Sequence, residues 1–267
     1  MFEIYKYKTI DSTNTEAKRL LQKAEADHGC FVVPAIVVAD GQTAGRGRQG
    51  KTFYSPAGTG LYMSIVDEFP ADESEAALIT VRTSMAVSDA IFECTGIMPG
   101  IKWVNDLYVD NLKVCGILAE SVLVGGKRYV IIGIGVNIST EIFPTEISRI
   151  AGSLGVKSAD VEAMKHTLCA KIAQKVLSIK SGAYRELAAY RERSVVLGKM
   201  VEYVKNGKTQ KGIAIGSEKD AVTKAYGAPT SETDSALFYE ADGMKLQFLL
   251  REGLVSDIQY LKNEAKK

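Results

Sequence analysis

Histidine and cysteine are scarce in this 267-residue chain: two of the first, His28 and His166, and four of the second, Cys30, Cys94, Cys115 and Cys169. None of the cysteines forms a Cys-x-x-Cys pair, so a structural zinc site is not expected and no residue is assigned to a metal. Cysteines this scattered, in a chain with no signal-peptide pattern, point to a reducing cytoplasm. No apolar run reaches the roughly 20 residues needed to span a bilayer, which argues against a membrane partner. A surplus of one charge is also missing, since 33 Lys and Arg face 32 Asp and Glu. Wholesale nucleic-acid binding draws on such a surplus and is not expected. The single tryptophan, Trp103, reads as core packing.

What is present is an ordinary soluble composition, 46% hydrophobic and 24% charged, long enough for one large domain and a smaller one. Apolar, β-branched runs at 31–38 and 61–66 read as buried strands. Between them lies Gly41-Gln42-Thr43-Ala44-Gly45-Arg46-Gly47-Arg48-Gln49-Gly50-Lys51-Thr52-Phe53-Tyr54-Ser55-Pro56. Glycines let backbone amides approach an anion, and arginine offers a permanently charged fork suited to phosphate or carboxylate. The stretch is either a mobile anion-binding loop or a hairpin whose glycines only turn the chain.

Residues 1–7 alternate as a strand, and Asp11-Ser12-Thr13-Asn14 opens a helix, with more hydrogen-bonding side chains than one cap requires. Residues 76–94 form a core helix. Residues 101–109 read as one strand carrying Lys102, Asn105 and Asp106, groups that are costly in a buried strand unless paired or functional. Turns at Asp110-Asn111 and Gly125-Gly126 lead into strands at 112–122 and 128–138, where Gly116, Gly133 and Gly135 leave room for a ligand against the backbone, or mark a bulge. Helices divided at Gly182 fill 158–193, and strands resume from Val195.

Five motifs in order, Asp11-Ser12-Thr13-Asn14, Gly45-Arg46-Gly47-Arg48 with Phe53-Tyr54-Ser55-Pro56, Lys102-Trp103-Val104-Asn105-Asp106, Lys113-Val114-Cys115-Gly116-Ile117-Leu118 and Gly133-Ile134-Gly135-Val136-Asn137, resemble the catalytic domain of biotin protein ligases. The resemblance covers residues 1–216. It implies an α+β fold with a mixed sheet backed by helices, like class II aminoacyl-tRNA synthetases, plus a small C-terminal β-rich domain. The expected division is 1–194 and 195–267. The implied activity is ATP-dependent formation of biotinyl-5'-AMP, with Mg2+, and transfer of biotin to a lysine of a biotin carboxyl carrier protein or domain.

By motif position, Ser12, Thr13 and Gln42 resemble the residues that bind the ureido end of biotin, with Asn14, Gly45, Arg46, Arg48, Lys113 and Gly116 in the same biotin-binding group. Arg48, Phe53, Lys102, Asn105, Asp106 and Asn137 resemble the ATP-binding group, with Phe53 packing on adenine. Lys113, Arg48, Lys102 and Asp106 are the expected catalytic residues, because charge accumulates on phosphate oxygens and fixed cations answer it. Two departures stand out: Val104 where the family usually has proline, and Phe53 where tryptophan is common. Only a strand precedes the Ser-Thr-Asn motif, so DNA binding is not expected; a homodimer is left open.

The resemblance fades after Gly216. A hairpin turning at Asn206-Gly207 looks like the opening of the family's small barrel, whereas a helix at 217–226 and strands at 235–240, 244–250 and 254–261 look more like small outer-membrane-assembly or β-lactamase-inhibitor modules. The tail is therefore expected to be remodelled. A lipoate or octanoate ligase, a non-catalytic biotin or adenylate sensor, and an RNA-binding module are the competing readings, the last without the aromatic platforms it needs.

Overall fold

A computed structural model describes residues 3–27, 31–68, 73–184, 188–197, 199–205, 208–213, 216–241 and 244–262. Two units divide the chain, 1–193 and 194–267. The first contains, in order, β1 (Glu3–Ile10), α1 (Thr13–Ala26), β2 (Ala35–Gln42), β3 (Gly60–Glu68), α2 (Glu73–Thr95), β4 (Gly100–Lys102), β5 (Asp106–Val109), β6 (Leu112–Val124), β7 (Lys127–Asn137), α3 (Val161–Leu177) and α4 (Ala188–Arg193). Seven strands form one mixed sheet, β1-β2-β3-β7-β6-β5-β4, in which β1 and β2 are parallel and the other pairs antiparallel. The fold is thus the expected mixed sheet backed by helices.

Strand periodicity gives the sheet two different faces. In β7, Val130, Ile132, Ile134 and Val136 join Leu61, Met63 and Ile65 of β3 in the main core, which α2 covers with Met85 and Ile91 and α3 with Leu168 and Ile172. Each such side chain taken fully out of water contributes roughly 1.5–3 kcal/mol. The alternate residues, Tyr129, Ile131, Gly133, Gly135 and Asn137, point to the other face. There Tyr129 and Ile131 pack with Ala17 and Leu21 of α1. Register pairs Gly135 with Gly116 of β6 and Tyr62 of β3, and Gly133 with Leu118 and Ser64. One face is therefore apolar under α1 and stripped to glycine beyond its N-terminal end.

Two expectations change. Residues 101–109 are not one strand but the hairpin β4-β5, turning through 103–105 with a cis Trp103–Val104 peptide. Trp103 sits at that turn, 66% exposed, with its ring perpendicular to that of Tyr190 and the ring centres 5.9 Å apart. It is not core packing, because the hairpin carries it beyond the sheet. The turns at Asp110-Asn111 and Gly125-Gly126 form with positive φ at both residues, the geometry tight hairpins require. Gly182 adopts φ 96° at the end of a 3-10 turn, as expected of a helix stop.

The second unit holds the hairpin β8 (Met200–Lys205) with β9 (Lys208–Ile213), then α5 (Lys219–Tyr226), β10 (Ser231–Thr233), β11 (Ala236–Ala241), β12 (Met244–Arg251) and β13 (Leu254–Lys262). Its last four strands make an antiparallel sheet in sequence order. Val222 of α5 packs with Leu237, Phe248, Leu250 and Val255, joined by Ile213 of β9. The described strands fall into these two separate sheets. The Asn206-Gly207 turn lies outside the described residues. No helix of the described residues is long and apolar enough to cross a membrane.

Candidate functional site

A cavity of about 720 Å³ opens over the glycine half of the sheet, and every site residue named from sequence except Gly45 lines it. Its rim is the stretch between β2 and β3, which is a hydrogen-bonded hairpin. Gln42 N–H donates to Ser55 O at 3.0 Å, Phe53 N–H to Gly45 O at 2.9 Å and Gly47 N–H to Lys51 O at 2.7 Å. The tip turns through Gln49 and Gly50, both at positive φ. Gly45 is buried inside the hairpin, where an added Cβ would come within 2.3 Å of Phe53 O. Its glycine serves the hairpin's own packing.

The hairpin lays Phe53 on the floor. A Cβ on Gly135 would lie 2.6 Å from the ring and one on Gly116 3.1 Å, so the phenyl ring covers this register-paired glycine couple. Tyr62 meets the ring edge-on at 6.5 Å between centroids. The room that glycine leaves against the backbone is thus occupied by the chain's own side chain. At Gly133 the occupant is Asn14, whose Oδ1 would be 2.2 Å from an added Cβ.

One end of the cavity is the N-terminus of α1. Ser12 is at the N-cap position, yet its hydroxyl makes no capping bond. Instead Gln42 Oε1 accepts from Thr13 N–H at 2.8 Å and from Thr13 Oγ1 at 3.3 Å, while Gln42 Nε2 donates to Ser55 Oγ at 2.8 Å. Asn14 is buried, with Nδ2 donating to Glu120 Oε2 at 2.8 Å and Leu118 O at 3.3 Å, and Oδ1 accepting from Ser64 Oγ at 2.6 Å.

Cations occupy the middle. Lys113 Nζ is 2.7 Å from Asp106 Oδ1 and 5.8 Å from the Phe53 ring centre. Lys102, exposed, reaches Tyr108 among the described residues, its Nζ 3.5 Å from the hydroxyl. Arg48 is exposed and makes no ion pair with a described residue, whereas the Arg46 guanidinium holds Glu120. Asn105 is fixed to β6, Nδ2 donating to Ile117 O at 3.0 Å. Cys115, two residues after Lys113, faces the main core, and burial raises its thiol far above the usual range. A thiolate nucleophile is therefore not available here. Among the described residues no group of three or more His, Cys, Asp or Glu could hold a metal, and Asp106 is the carboxylate on the lining.

The far end was not legible in the sequence. Residues 139–157 carry no strand or helix periodicity, yet Phe143, Ile147, Ile150 and Ala151 line the cavity. Lys113 ties them in, its N–H donating to Ile150 O at 2.8 Å and its O accepting from Gly152 N–H at 2.9 Å. Asn137 Nδ2 donates to Gly152 O at 2.9 Å, and its buried Oδ1 has no hydrogen-bond partner. Tyr54 and Phe143 stand 6.2 Å apart between ring centres. The only hint in the sequence is a scatter of apolar residues, Ile142-Phe143, Ile147, Ile150, Leu154 and Val156, without a period.

On this mixed sheet backed by helices, with its cation-rimmed, glycine-floored cleft, residues 7–137, just under half of the chain, match the model of the biotin/lipoate A/B protein ligase family. Among curated relatives, a bifunctional ligase/repressor BirA of Bacillus spizizenii is 34% identical over 157 residues, covering 58% of this chain and 47% of the relative. That of Bacillus subtilis is 39% identical over 122 residues, 45% and 38% of the two chains. The chain thus spans less than half the length of these two. A biotin–[acetyl-CoA-carboxylase] ligase of Mycobacterium tuberculosis is 27% identical over 185 residues, 67% of each. In fold, the chain is similar to a biotin protein ligase from Aquifex aeolicus solved with biotin and ATP, with a TM-score of 0.63, 23% identity and coverage of 97% and 99%.

Proposed function

We propose that this chain activates biotin with ATP and passes it to a lysine of a biotin carboxyl carrier protein or domain. The observation that carries the reading is the order of chemistry along one cavity: polar donors and acceptors at Ser12, Thr13 and Gln42, cations at Arg48, Lys102 and Lys113, then Asn137 with Phe143. Biotin has the matching order, a ureido group at one end and a carboxylate at the other. In the first step a carboxylate oxygen attacks the α-phosphorus of ATP, the bond to the β-phosphate breaks, and pyrophosphate leaves. Lys113 supplies positive charge where acid and phosphate meet, and Arg48 and Lys102 offer theirs to the leaving phosphates. Adenine fits the apolar end, where the unpartnered Asn137 Oδ1 can accept from its amino group.

In the second step the neutral amine of the carrier lysine attacks the acyl carbon, AMP departs, and the nitrogen sheds a proton. Mg2+ arriving with the triphosphate would neutralise phosphate charge, and Asp106, one carboxylate already held by Lys113, suits an ion that takes most of its ligands from phosphate and water. A cytoplasmic setting, where carboxylase carriers and ATP meet, belongs to the same proposal.

Ligand-dependent exchange of label between pyrophosphate and ATP tests it, with biotin, lipoate and octanoate in separate arms. Exchange with biotin alone is expected. Exchange with lipoate or octanoate alone would move the chain to the other branch of its family, and none with any acid would leave a binding protein.

A further inference from the structure

We infer that Glu120 is a positioning residue, which holds the cationic hairpin to the sheet through Arg46. Arg46 grips the Glu120 carboxylate with two nitrogens, Nη2 to Oε1 at 2.9 Å and Nη1 to Oε2 at 3.1 Å. The fork geometry makes this contact directional as well as ionic. An exposed pair of this kind is ordinarily a weak tie, because two long side chains must be ordered to make it. Here one partner is ordered already.

Oε2 of Glu120 also accepts from Asn14 Nδ2 at 2.8 Å. Asn14 in turn takes a bond from Ser64, which is fully buried in β3, and its carboxamide occupies the hollow above Gly133. A chain of contacts therefore runs from β3, through the start of α1, to β6 and out to the hairpin. Its inner members, Asn14 and Ser64, are buried and hydrogen-bonded, so the entropy cost of the ion pair falls mainly on Arg46.

Arg46 is the point where this hold is useful. It bridges Thr52 across the base of the hairpin, and the next residue on that strand is Phe53, whose ring covers Gly116 and Gly135. Holding Arg46 keeps the hairpin base over the floor while the tip, with Arg48 and Lys51, stays exposed. The two arginines divide the work: Arg46 is neutralised by Glu120 and fixes the hairpin, and Arg48 remains for a ligand anion. On the ligase reading, the pinned base also limits the access of water to the mixed anhydride.

Amide hydrogen exchange across residues 45–53 of the ligand-free protein tests this without any substrate, so its failure is distinct from failure of the ligase reading. Glu120→Gln removes the charge and keeps an oxygen for Asn14. It should speed exchange in the hairpin about fivefold, Arg46→Gln should do the same, and the double variant should be no faster than either. Amides in the centre of β6 and β7 should be unchanged. Where pyrophosphate exchange with biotin is active, Glu120→Gln should raise KM for biotin and leave kcat within about twofold. Unchanged hairpin exchange, additive single effects, equal acceleration in the central strands, or a loss confined to kcat would each overturn the assignment.

Discussion

Glycine does two different jobs on this floor, and the neighbours of each position decide the effect of adding a methyl group. At Gly133 the added Cβ meets Asn14, which is bound to Ser64, Leu118 and Glu120 and cannot step aside. Gly133→Ala is therefore expected to destabilise the protein by about 1–3 kcal/mol, seen as a lower urea midpoint. At Gly135 the obstacle is the far edge of the Phe53 ring, which can swing. Gly135→Ala should change the urea midpoint little and raise the KM for ATP several-fold in pyrophosphate exchange. A destabilisation equal to that of Gly133→Ala would mean that Phe53 is as fixed as Asn14.

Lys113 is the other residue whose loss is specific. Lys113→Met removes the ammonium facing Asp106 and leaves that carboxylate without its ion pair. Pyrophosphate exchange should fall by about 10²–10³, with KM for biotin changing less than kcat. A near-normal rate would remove Lys113 from the chemistry. These residues were legible because lysine and glycine are out of place in apolar strands. Glu120 and Ser64 were not, since a carboxylate or hydroxyl at a strand position carries no mark of its partner.

Elements were legible where one signal dominated. Apolar β-branched runs marked β2, β3, β6 and β7, and Gly182 marked a helix end. The β4-β5 hairpin was hidden because the Ile101-Lys102-Trp103-Val104 alternation runs straight into the turn, with no glycine or proline to interrupt it. Residues 139–157 were hidden for the opposite reason: their order comes from backbone bonds to Lys113 and Asn137, which local sequence does not encode. The β12-β13 turn offers a direct test of turn chemistry. Glu252 and Gly253 both have positive φ, at 55° and 78°, and a glutamate there is strained. Glu252→Asn should stabilise the protein by about 0.5–1 kcal/mol in urea unfolding, since asparagine tolerates the left-handed region. No gain would show that the turn relaxes around glutamate at no cost.

At the scale of the whole molecule, alkaline pH is the lever. Burial raises the phenols of Tyr62, Tyr184 and Tyr190, the last pushed up to about 12 from an ordinary 10.0. The folded state therefore holds these protons more tightly than the unfolded chain. Their contribution is fully present below about pH 10 and is lost as pH rises through the folded values. Once the more exposed of the twelve tyrosines have titrated near the ordinary 10.0, a further rise in tyrosinate absorbance should coincide with loss of circular dichroism, and completion of the tyrosinate signal well before unfolding would contradict the burial of these three.

The overall architecture was readable because each level agreed, from strand period to motif order, and the last strands of the second unit were readable as apolar runs although its family likeness faded. One feature of the first unit has a practical side. Trp103 is the chain's only indole, and it stands in water between Lys102 and Asn105, two residues of the cavity wall. Its fluorescence is a built-in, single-site optical probe. Emission from the ligand-free protein, excited on the red edge where the twelve tyrosines do not absorb, should be that of a hydrated indole, and any reorganisation of the β4-β5 turn on filling the cavity can be followed in real time without a label.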